Sequence, residues 1–330
     1  MPQRMKKFLF VVAIDAFLLM AGAGMLELYL RFEHIPPYVR TYPGQHLNEP
    51  LRAPWLQPDD YFGWISNTAL PDINPQGFRD PRSFNDLVIA SDRTRIMVLG
   101  DSFMWGAQLD ATESVPQQLQ RALGDRYEVF NLGVPGWGID QMYLGYERYV
   151  SVLHPDVVIL AYIDDDVARV LEAYRAETAM TKPSFTIVGD ELARRESTRG
   201  QQRLSVTLGK SVLASQIARA VYMSAVARRI VCTVFKKIAD DTAHRGVRFA
   251  VVRIPNKEQE RLWPRVAWRW RGYAGCLSKT DVPYLEPLDD MLKVQNWHRD
   301  FYLEDGHTSS RGNQFLARWL LSRMSFDAKR

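Results

Sequence analysis

The chain has 330 residues, 46% of them hydrophobic and 24% charged, which is the composition of a folded protein with one large domain or two modest ones. Its net charge of +4 is small for this length and gives no electrostatic reason to expect a nucleic-acid partner. No phosphate-binding glycine loop or metal-binding motif occurs in the sequence, so we predict no metal and no organic cofactor.

The two cysteines, Cys232 and Cys276, have neither the spacing of a metal site nor that of a redox motif. Cys232 lies in a strongly apolar segment, which favours a buried and unreactive thiol. A disulfide between the two is the alternative if the domain lies in an oxidising compartment.

The first predicted element is an apolar helix over residues 8–30, preceded by three basic residues. At about 1.5 Å per residue it is roughly 35 Å long, which is enough to cross a bilayer. An uncleaved anchor, a cleaved signal peptide and the buried helix of a soluble protein are all compatible with this pattern. We favour the anchor, because the apolar run continues beyond the small residues 21–23 that offer a cleavage site. Residues 1–32 are therefore predicted to hold the protein in the cell membrane, with the rest exported to the periplasm or the exterior.

Residues 33–92 are rich in proline, which excludes long regular elements. The same segment is too apolar for a free linker, because it contains the aromatic residues Trp55, Tyr61, Phe62, Trp64 and Phe78. We expect it to wrap around the domain that follows.

Over residues 93–325, short apolar segments alternate with amphipathic ones. Predicted strands cover residues 95–99, 127–132, 156–163, 247–254 and 282–285. Predicted helices cover residues 113–123, 140–153, 167–178 and 211–243, and a closing helix contains residues 315–321. A small β insertion is expected near 182–209, with strands at 185–188 and 204–208. This alternation predicts an α/β domain whose parallel sheet is covered on both faces and whose active groups lie at the carboxyl ends of the strands.

Gly100-Asp101-Ser102 lies at the carboxyl end of the first of these strands. A serine there presents its hydroxyl to the crevice above the sheet. Taken alone, the tripeptide is better explained by Asp101 or Ser102 capping the next helix.

A serine hydroxyl becomes a nucleophile when a base lies within hydrogen-bond reach and an acid orients that base. Of the six histidines, His307 stands directly before the closing helix in Asp305-Gly306-His307. Asp305 precedes it by two residues, and Gly306 allows the tight bend between them. We expect Asp305 and His307 to serve Ser102.

Four segments together resemble the SGNH/GDSL hydrolase family. Residues 98–102 resemble its first block, residues 131–136 its second, and residues 305–307, followed by Gly312, its last. Residues 73–80 resemble a segment that often precedes the first block in bacterial, membrane-tethered members. The resemblance covers roughly residues 55–325.

The resemblance implies a flavodoxin-like parallel sheet of about five strands with helices on both faces. It also implies catalytic roles for Ser102 as nucleophile, His307 as base and Asp305 as acid. The backbone N–H groups of Ser102 and Gly136 would form the oxyanion hole.

The chain departs from the family in the third block, where an Asn amide usually donates to the oxyanion. Here the sequence is Asp164-Asp165-Asp166, and Asp165 is the best match to that Asn. An ionised carboxylate has no donor and repels developing negative charge. Asp165 therefore takes part in the oxyanion hole only if it holds a proton; otherwise two backbone amides carry the charge.

These observations favour a serine-dependent esterase that acts on an acyl ester outside the cytoplasmic membrane. The resemblance to exported, polysaccharide-modifying relatives implies the O-acyl groups of a glycan as its substrate. An O-acetyltransferase with the same site is the first alternative, because both reactions share an acyl-enzyme. The second is a non-catalytic, membrane-tethered glycan-binding or assembly protein on a degenerate scaffold. The replacement of the usual Asn by Asp165 suggests this alternative.

Overall fold

The computed structural model describes residues 3–32, 54–86, 92–175, 180–196, 211–214, 217, 225–257 and 273–326. In chain order, its helices are α1 (Gln3–Phe32), α2 (Ser102–Trp105), α3 (Val115–Leu123), α4 (Ile139–Leu153), α5 (Asp164–Arg169), α6 (Ala225–His244), α7 (Leu288–Met291), α8 (Trp297–Asp300) and α9 (Ser310–Arg323). Its strands are β1 (Leu56–Asp59), β2 (Gly63–Ser66), β3 (Thr94–Gly100), β4 (Tyr127–Gly133), β5 (Val157–Tyr162), β6 (Tyr174–Arg175), β7 (Met180–Thr181), β8 (Ser184–Val188), β9 (Glu191–Arg195), β10 (Arg248–Arg253) and β11 (Tyr284–Leu285).

The central sheet has five parallel strands in the spatial order β11-β10-β5-β3-β4. Counting only these strands along the chain, the order is 2-1-3-4-5, which is that of flavodoxin-like sheets. The predicted fold class is confirmed. The strand order reverses beside β3, and in open α/β sheets the crevice at such a switch point is where ligands bind.

Alternate residues of the strands face two separate hydrophobic clusters, as the period of two in a strand requires. On one face, Met97 and Leu99 of β3 join side chains of α4 and α6. On the other face, Ile96 and Val98 join side chains of α3 and α9. The strands are therefore buried on both sides, which explains why they are continuous apolar runs in the sequence.

The described part of the proline-rich segment, residues 54–86, packs into the cluster that contains α4. Trp64 is fully buried, and its indole N–H donates to the backbone oxygen of Pro135 at 3.0 Å. In return, the indole N–H of Trp137 donates to the backbone oxygen of Trp64, also at 3.0 Å. This pair of bonds ties the segment to the turn that follows β4.

The helix predicted over residues 167–178 is wrong. α5 occupies Asp164–Arg169, and Tyr174–Arg175 then forms a strand that pairs antiparallel with Met180–Thr181. Pairing with a strand further along the chain overrides the local helical pattern. In the predicted insertion near 182–209, β8 pairs with β9, whereas the strand predicted at 204–208 lies outside the described residues.

The N-terminal helix α1 contains an apolar stretch, Leu9–Phe32, that is long and apolar enough to cross a membrane, with a mean hydropathy of 2.2. None of that stretch is buried within the chain. Near its end, the carboxylate of Glu27 accepts hydrogen bonds from the hydroxyl of Ser211 at 2.9 Å and from the backbone N–H groups of Val212 and Leu213 at 3.0 and 2.7 Å. α1 is thereby joined to the segment 211–214.

Cys232, in α6, is bonded to Cys276 in a disulfide, with 5.1 Å between the two Cα atoms. The favoured interpretation of Cys232 as a free buried thiol is therefore wrong, and the alternative holds. The partner could not be assigned from the sequence because a sequence separation of 44 between the cysteines matches no spacing motif.

Candidate functional site

Ser102 stands at the carboxyl end of β3, at the switch point of the sheet. Asp101 caps the short helix α2, because its buried carboxylate accepts the backbone N–H of Phe103 at 2.9 Å. The turn is close to its neighbours: a Cβ on Gly133, at the end of the adjacent strand, would lie 2.5 Å from the backbone nitrogen of Trp105. Glycine at this position therefore lets the turn lie against β4.

Three of the residues singled out in the sequence form one chain of hydrogen bonds. The hydroxyl of Ser102 lies 2.9 Å from Nε2 of His307, and Nδ1 of His307 lies 2.7 Å from Oδ2 of Asp305. The backbone N–H of His307 also donates to Oδ1 of Asp305, at 3.1 Å. Gly306, between the two, has a φ of +92°, which an L side chain rarely adopts. The two-residue spacing thus brings acid and base together because glycine makes the bend.

Asp305 is poised to stay ionised in this arrangement. Partial burial acts to raise the pKa of its carboxyl, but the hydrogen bonds from the ring and backbone of His307 and from Gln108 outweigh it and lower that pKa. An ionised carboxylate at Nδ1 favours the tautomer in which Nε2 faces Ser102 as an acceptor.

Beneath the serine lies a buried ionic network centred on Arg169. Its guanidinium donates to Asp101 at 3.2 Å, to the backbone oxygen of Trp137 at 3.0 Å, and to Asp166. Burial and the charge of Asp101 raise the pKa of Asp166 well above its ordinary value, although Arg169 opposes them. One arginine thus links the turn that carries Ser102, the turn after β4 and the acidic helix α5.

Gly136 lies in the turn after β4 with a φ of +80°. The Trp64–Pro135 bond holds this turn from one side, and the side chain of Arg175 approaches it from another, with 3.4 Å from its Nη1 to the backbone oxygen of Gly136. The backbone N–H groups of Ser102 and Gly136 donate no hydrogen bond to any other described residue.

The acidic triplet divides into two buried residues and one exposed residue. Asp164 forms a two-pronged ion pair with the buried Arg253, at 2.7 and 2.8 Å, and Asp166 accepts the backbone N–H of Ile163 at 2.9 Å. Asp165 is exposed, and its side chain makes no hydrogen bond or ion pair with another described residue. The structure therefore does not join Asp165 to Ser102, Gly136 or His307 in the part of the chain that it describes.

Sequence reasoning missed two polar residues of the site. The predicted helix at 167–178 contains Arg169 but gives it no role, and a lone glutamine in a loop, such as Gln108, fits no motif. The usable signal for Arg169 was its position three residues after Asp166, the spacing of an ion pair on a helix. No comparable signal exists for Gln108.

No protein-family model and no curated protein sequence matches the chain. Solved structures that are similar to it include a lipolytic protein of the G-D-S-L family from Desulfitobacterium hafniense (11% identity, TM-score 0.45), covering 70% of this chain and 100% of that one. The match to the acetyl xylan esterase AlAXEase (14% identity, TM-score 0.45) covers 70% of this chain and 100% of that one. The match to a lipase/acylhydrolase from Enterococcus faecalis (16% identity, TM-score 0.40) covers 72% of this chain and 99% of that one. Because the identities and TM-scores are this low, the function proposed below rests on the geometry of the site.

Proposed function

We propose that the chain is a serine-dependent acyl-ester hydrolase of the SGNH type. The observation that carries this proposal is the continuous hydrogen-bond chain Ser102–His307–Asp305 at the switch point of the sheet. A nucleophile, a base and an orienting acid in hydrogen-bond contact are the elements that acyl transfer requires. Ser102 and His307 are each only partly buried, so a substrate can reach both.

In the first half-reaction, Oγ of Ser102 attacks the ester carbonyl while its proton passes to Nε2 of His307. The bond between the carbonyl carbon and the leaving oxygen then breaks, and the same proton passes from His307 to that oxygen. In the second half-reaction, water attacks the acyl-enzyme with His307 again as base. The products are a carboxylic acid and an alcohol, and Ser102 is regenerated.

The negative charge on the carbonyl oxygen is stabilised, in this proposal, by the backbone N–H groups of Ser102 and Gly136. Asp165 supplies no donor while it is ionised, so the site works with two donors instead of three. A missing donor costs about 100- to 1000-fold in kcat in other enzymes. We therefore expect a slow hydrolase, and an Asp165→Asn substitution should accelerate it.

The test is the hydrolysis of p-nitrophenyl acetate by the wild type, Ser102→Ala and Asp165→Asn. The proposal requires that Ser102→Ala loses activity while it keeps its fold, and that Asp165→Asn does not lose it. Equal turnover by the wild type and Ser102→Ala would contradict the proposed nucleophile. A wild type without activity towards any acyl ester would favour a non-catalytic, membrane-tethered binding protein, the alternative that the Asp165 substitution suggests.

We also propose that α1 anchors the protein and that the domain lies outside the cytoplasmic membrane. The length and hydropathy of Leu9–Phe32 support an anchor, and the Cys232–Cys276 disulfide supports an oxidising compartment. The O-acyl groups of a glycan are then an accessible substrate. An alkaline phosphatase fused after residue 40 should be active, and a reporter that works only in the cytoplasm should be silent.

An acyltransferase passes through the same acyl-enzyme and transfers the acyl group to a sugar hydroxyl instead of water. The two reactions are separated by adding an oligosaccharide acceptor to the p-nitrophenyl acetate assay. Faster release of p-nitrophenol together with an acylated sugar would identify a transferase. An unchanged rate would leave hydrolysis as the reaction.

A further inference from the structure

The loop that follows α2 holds Gln108 in an unfavourable backbone conformation. Its φ is +63°, in the left-handed region that glutamine rarely occupies. Among the described residues, two other non-glycine residues have a positive φ, and both stand at helix ends: His154 caps the carboxyl end of α4, and Asn296 precedes α8. Backbone strain of this kind is found preferentially at functional sites.

The side chain of Gln108 is directed at the acid of the hydrogen-bond chain. Its amide Nε2 donates to Oδ2 of Asp305, the same oxygen that faces Nδ1 of His307. His307 supplies both other hydrogen bonds to this carboxylate, one from its ring and one from its backbone. Within the described residues, Gln108 is thus the only partner that holds Asp305 from outside its own loop.

A buried arginine fixes the conformation of the Gln108 loop. The guanidinium of Arg79 donates to the backbone oxygens of Gly106 at 2.8 Å and of Leu109 at 2.9 Å, one on each side of Gln108. Its carbon Cζ also lies 4.2 Å from the centre of the Trp105 ring. Arg79 therefore stabilises the left-handed backbone conformation of Gln108, in which the side chain of Gln108 reaches Asp305.

We propose that Gln108 is a positioning residue of the site: it fixes the carboxylate of Asp305 against the imidazole of His307, and Arg79 holds it in place for that purpose. This inference rests on the proposed function. In this proposal, the strained loop after α2 orients the carboxylate of Asp305. Arg79, which belongs to the proline-rich segment, contributes to this orientation because it holds the loop.

The first test separates the side chain from the backbone strain. In Gln108→Gly the donor is lost, but glycine adopts the positive φ without a steric penalty. We expect a thermal midpoint equal to or above that of the wild type, a kcat lower by about tenfold, and an unchanged KM. His154→Gly is the matched control, because it relieves the same kind of strain far along the chain from the site and should leave kcat unchanged.

The second test is Gln108→Lys, which places a positive charge beside the ionised Asp305 and thereby destabilises the protonated imidazole of His307. The acid limb of the pH–kcat profile should move to lower pH. NMR of the imidazole in the Ser102→Ala background should show that His307 loses its proton at lower pH in Gln108→Lys than with Gln108 in place, and this readout needs no turnover.

The proposal is overturned if Gln108→Gly keeps the wild-type kcat, or if it loses activity only in proportion to a loss of folded protein. It is also overturned if Gln108→Lys leaves the protonation of His307 unchanged. Failure of the proposed function has a different signature, namely turnover that survives in Ser102→Ala. An inactive Ser102→Ala together with a fully active Gln108→Gly would reject the role of Gln108 alone.

Discussion

Replacing Asp305 by Asn preserves the size of the side chain and removes its charge. When His307 takes the Ser102 proton, the imidazolium and the carboxylate form an ion pair, with 2.7 Å between Nδ1 and Oδ2. Because 33% of the Asp305 side chain is exposed, solvent screens this pair. The effective dielectric constant then lies between about 20, the value for a protein surface, and about 80, the value for water.

At an effective dielectric constant of about 40, Coulomb's law gives roughly 3 kcal/mol for unit charges at this distance. One factor of ten in rate corresponds to about 1.4 kcal/mol, so kcat should fall by about 140-fold. An Asn amide that donates to Nδ1 would also favour the tautomer with its proton on Nε2, which cannot accept the proton of Ser102. The ion-pair value is therefore a lower estimate of the loss.

The assay is the steady-state hydrolysis of p-nitrophenyl acetate by the wild type, Asp305→Asn and Glu304→Gln. Glu304 is the matched control, because it is exposed, stands next to Asp305 and loses the same charge. The control should retain kcat within about twofold. An Asp305→Asn enzyme with kcat within about threefold of the wild type would refute the role of Asp305 as the orienting acid.

Three further predictions concern stability. Arg169→Leu leaves the buried carboxylates of Asp101 and Asp166 without their cation and should lower the free energy of unfolding in urea by about 3–5 kcal/mol. The control Arg93→Leu removes an exposed ion pair and should lower it by at most about 1 kcal/mol. Equal losses in the two variants would contradict the network around Arg169. Replacing both Cys232 and Cys276 by Ser removes a crosslink that spans 44 residues and should lower the free energy of unfolding by about 4 kcal/mol. Dithiothreitol should destabilise the wild type and leave the stability of the variant unchanged. The pKa of Asp241 is lowered because its hydrogen bonds outweigh its partial burial. The ionised Asp241 therefore stabilises the fold above about pH 4, and this contribution is lost as the pH falls. Between about pH 7 and pH 3, the free energy of unfolding of Asp241→Asn should fall less than that of the wild type.

The sheet was predictable because its strands are buried on both faces and are therefore apolar throughout. The strands predicted at 95–99 and 127–132 are found as Thr94–Gly100 and Tyr127–Gly133. Ser102 could be placed from the sequence because it follows the carboxyl end of a predicted strand. His307 could be paired with it because it stands before the closing helix, next to an acid and a glycine. Pattern and topology together specify this edge.

What escaped prediction depends on contacts between distant parts of the chain. Tyr174–Arg175 looks helical by itself and becomes a strand only through its pairing with Met180–Thr181. The side chain of Gln108 meets Asp305, which is 197 residues away in sequence. Neither a periodicity nor a spacing rule reports such contacts, because both describe neighbours along the chain.

The most direct test of the central claim is to label the protein with a fluorophosphonate and map the adduct by mass spectrometry. The probe phosphonylates a serine only when a base activates its hydroxyl. The geometry predicts one adduct on Ser102, absent from Ser102→Ala and strongly reduced in a folded His307→Ala. No adduct under conditions that label a related hydrolase, or an adduct on another serine, would contradict the assignment of Ser102 as the nucleophile.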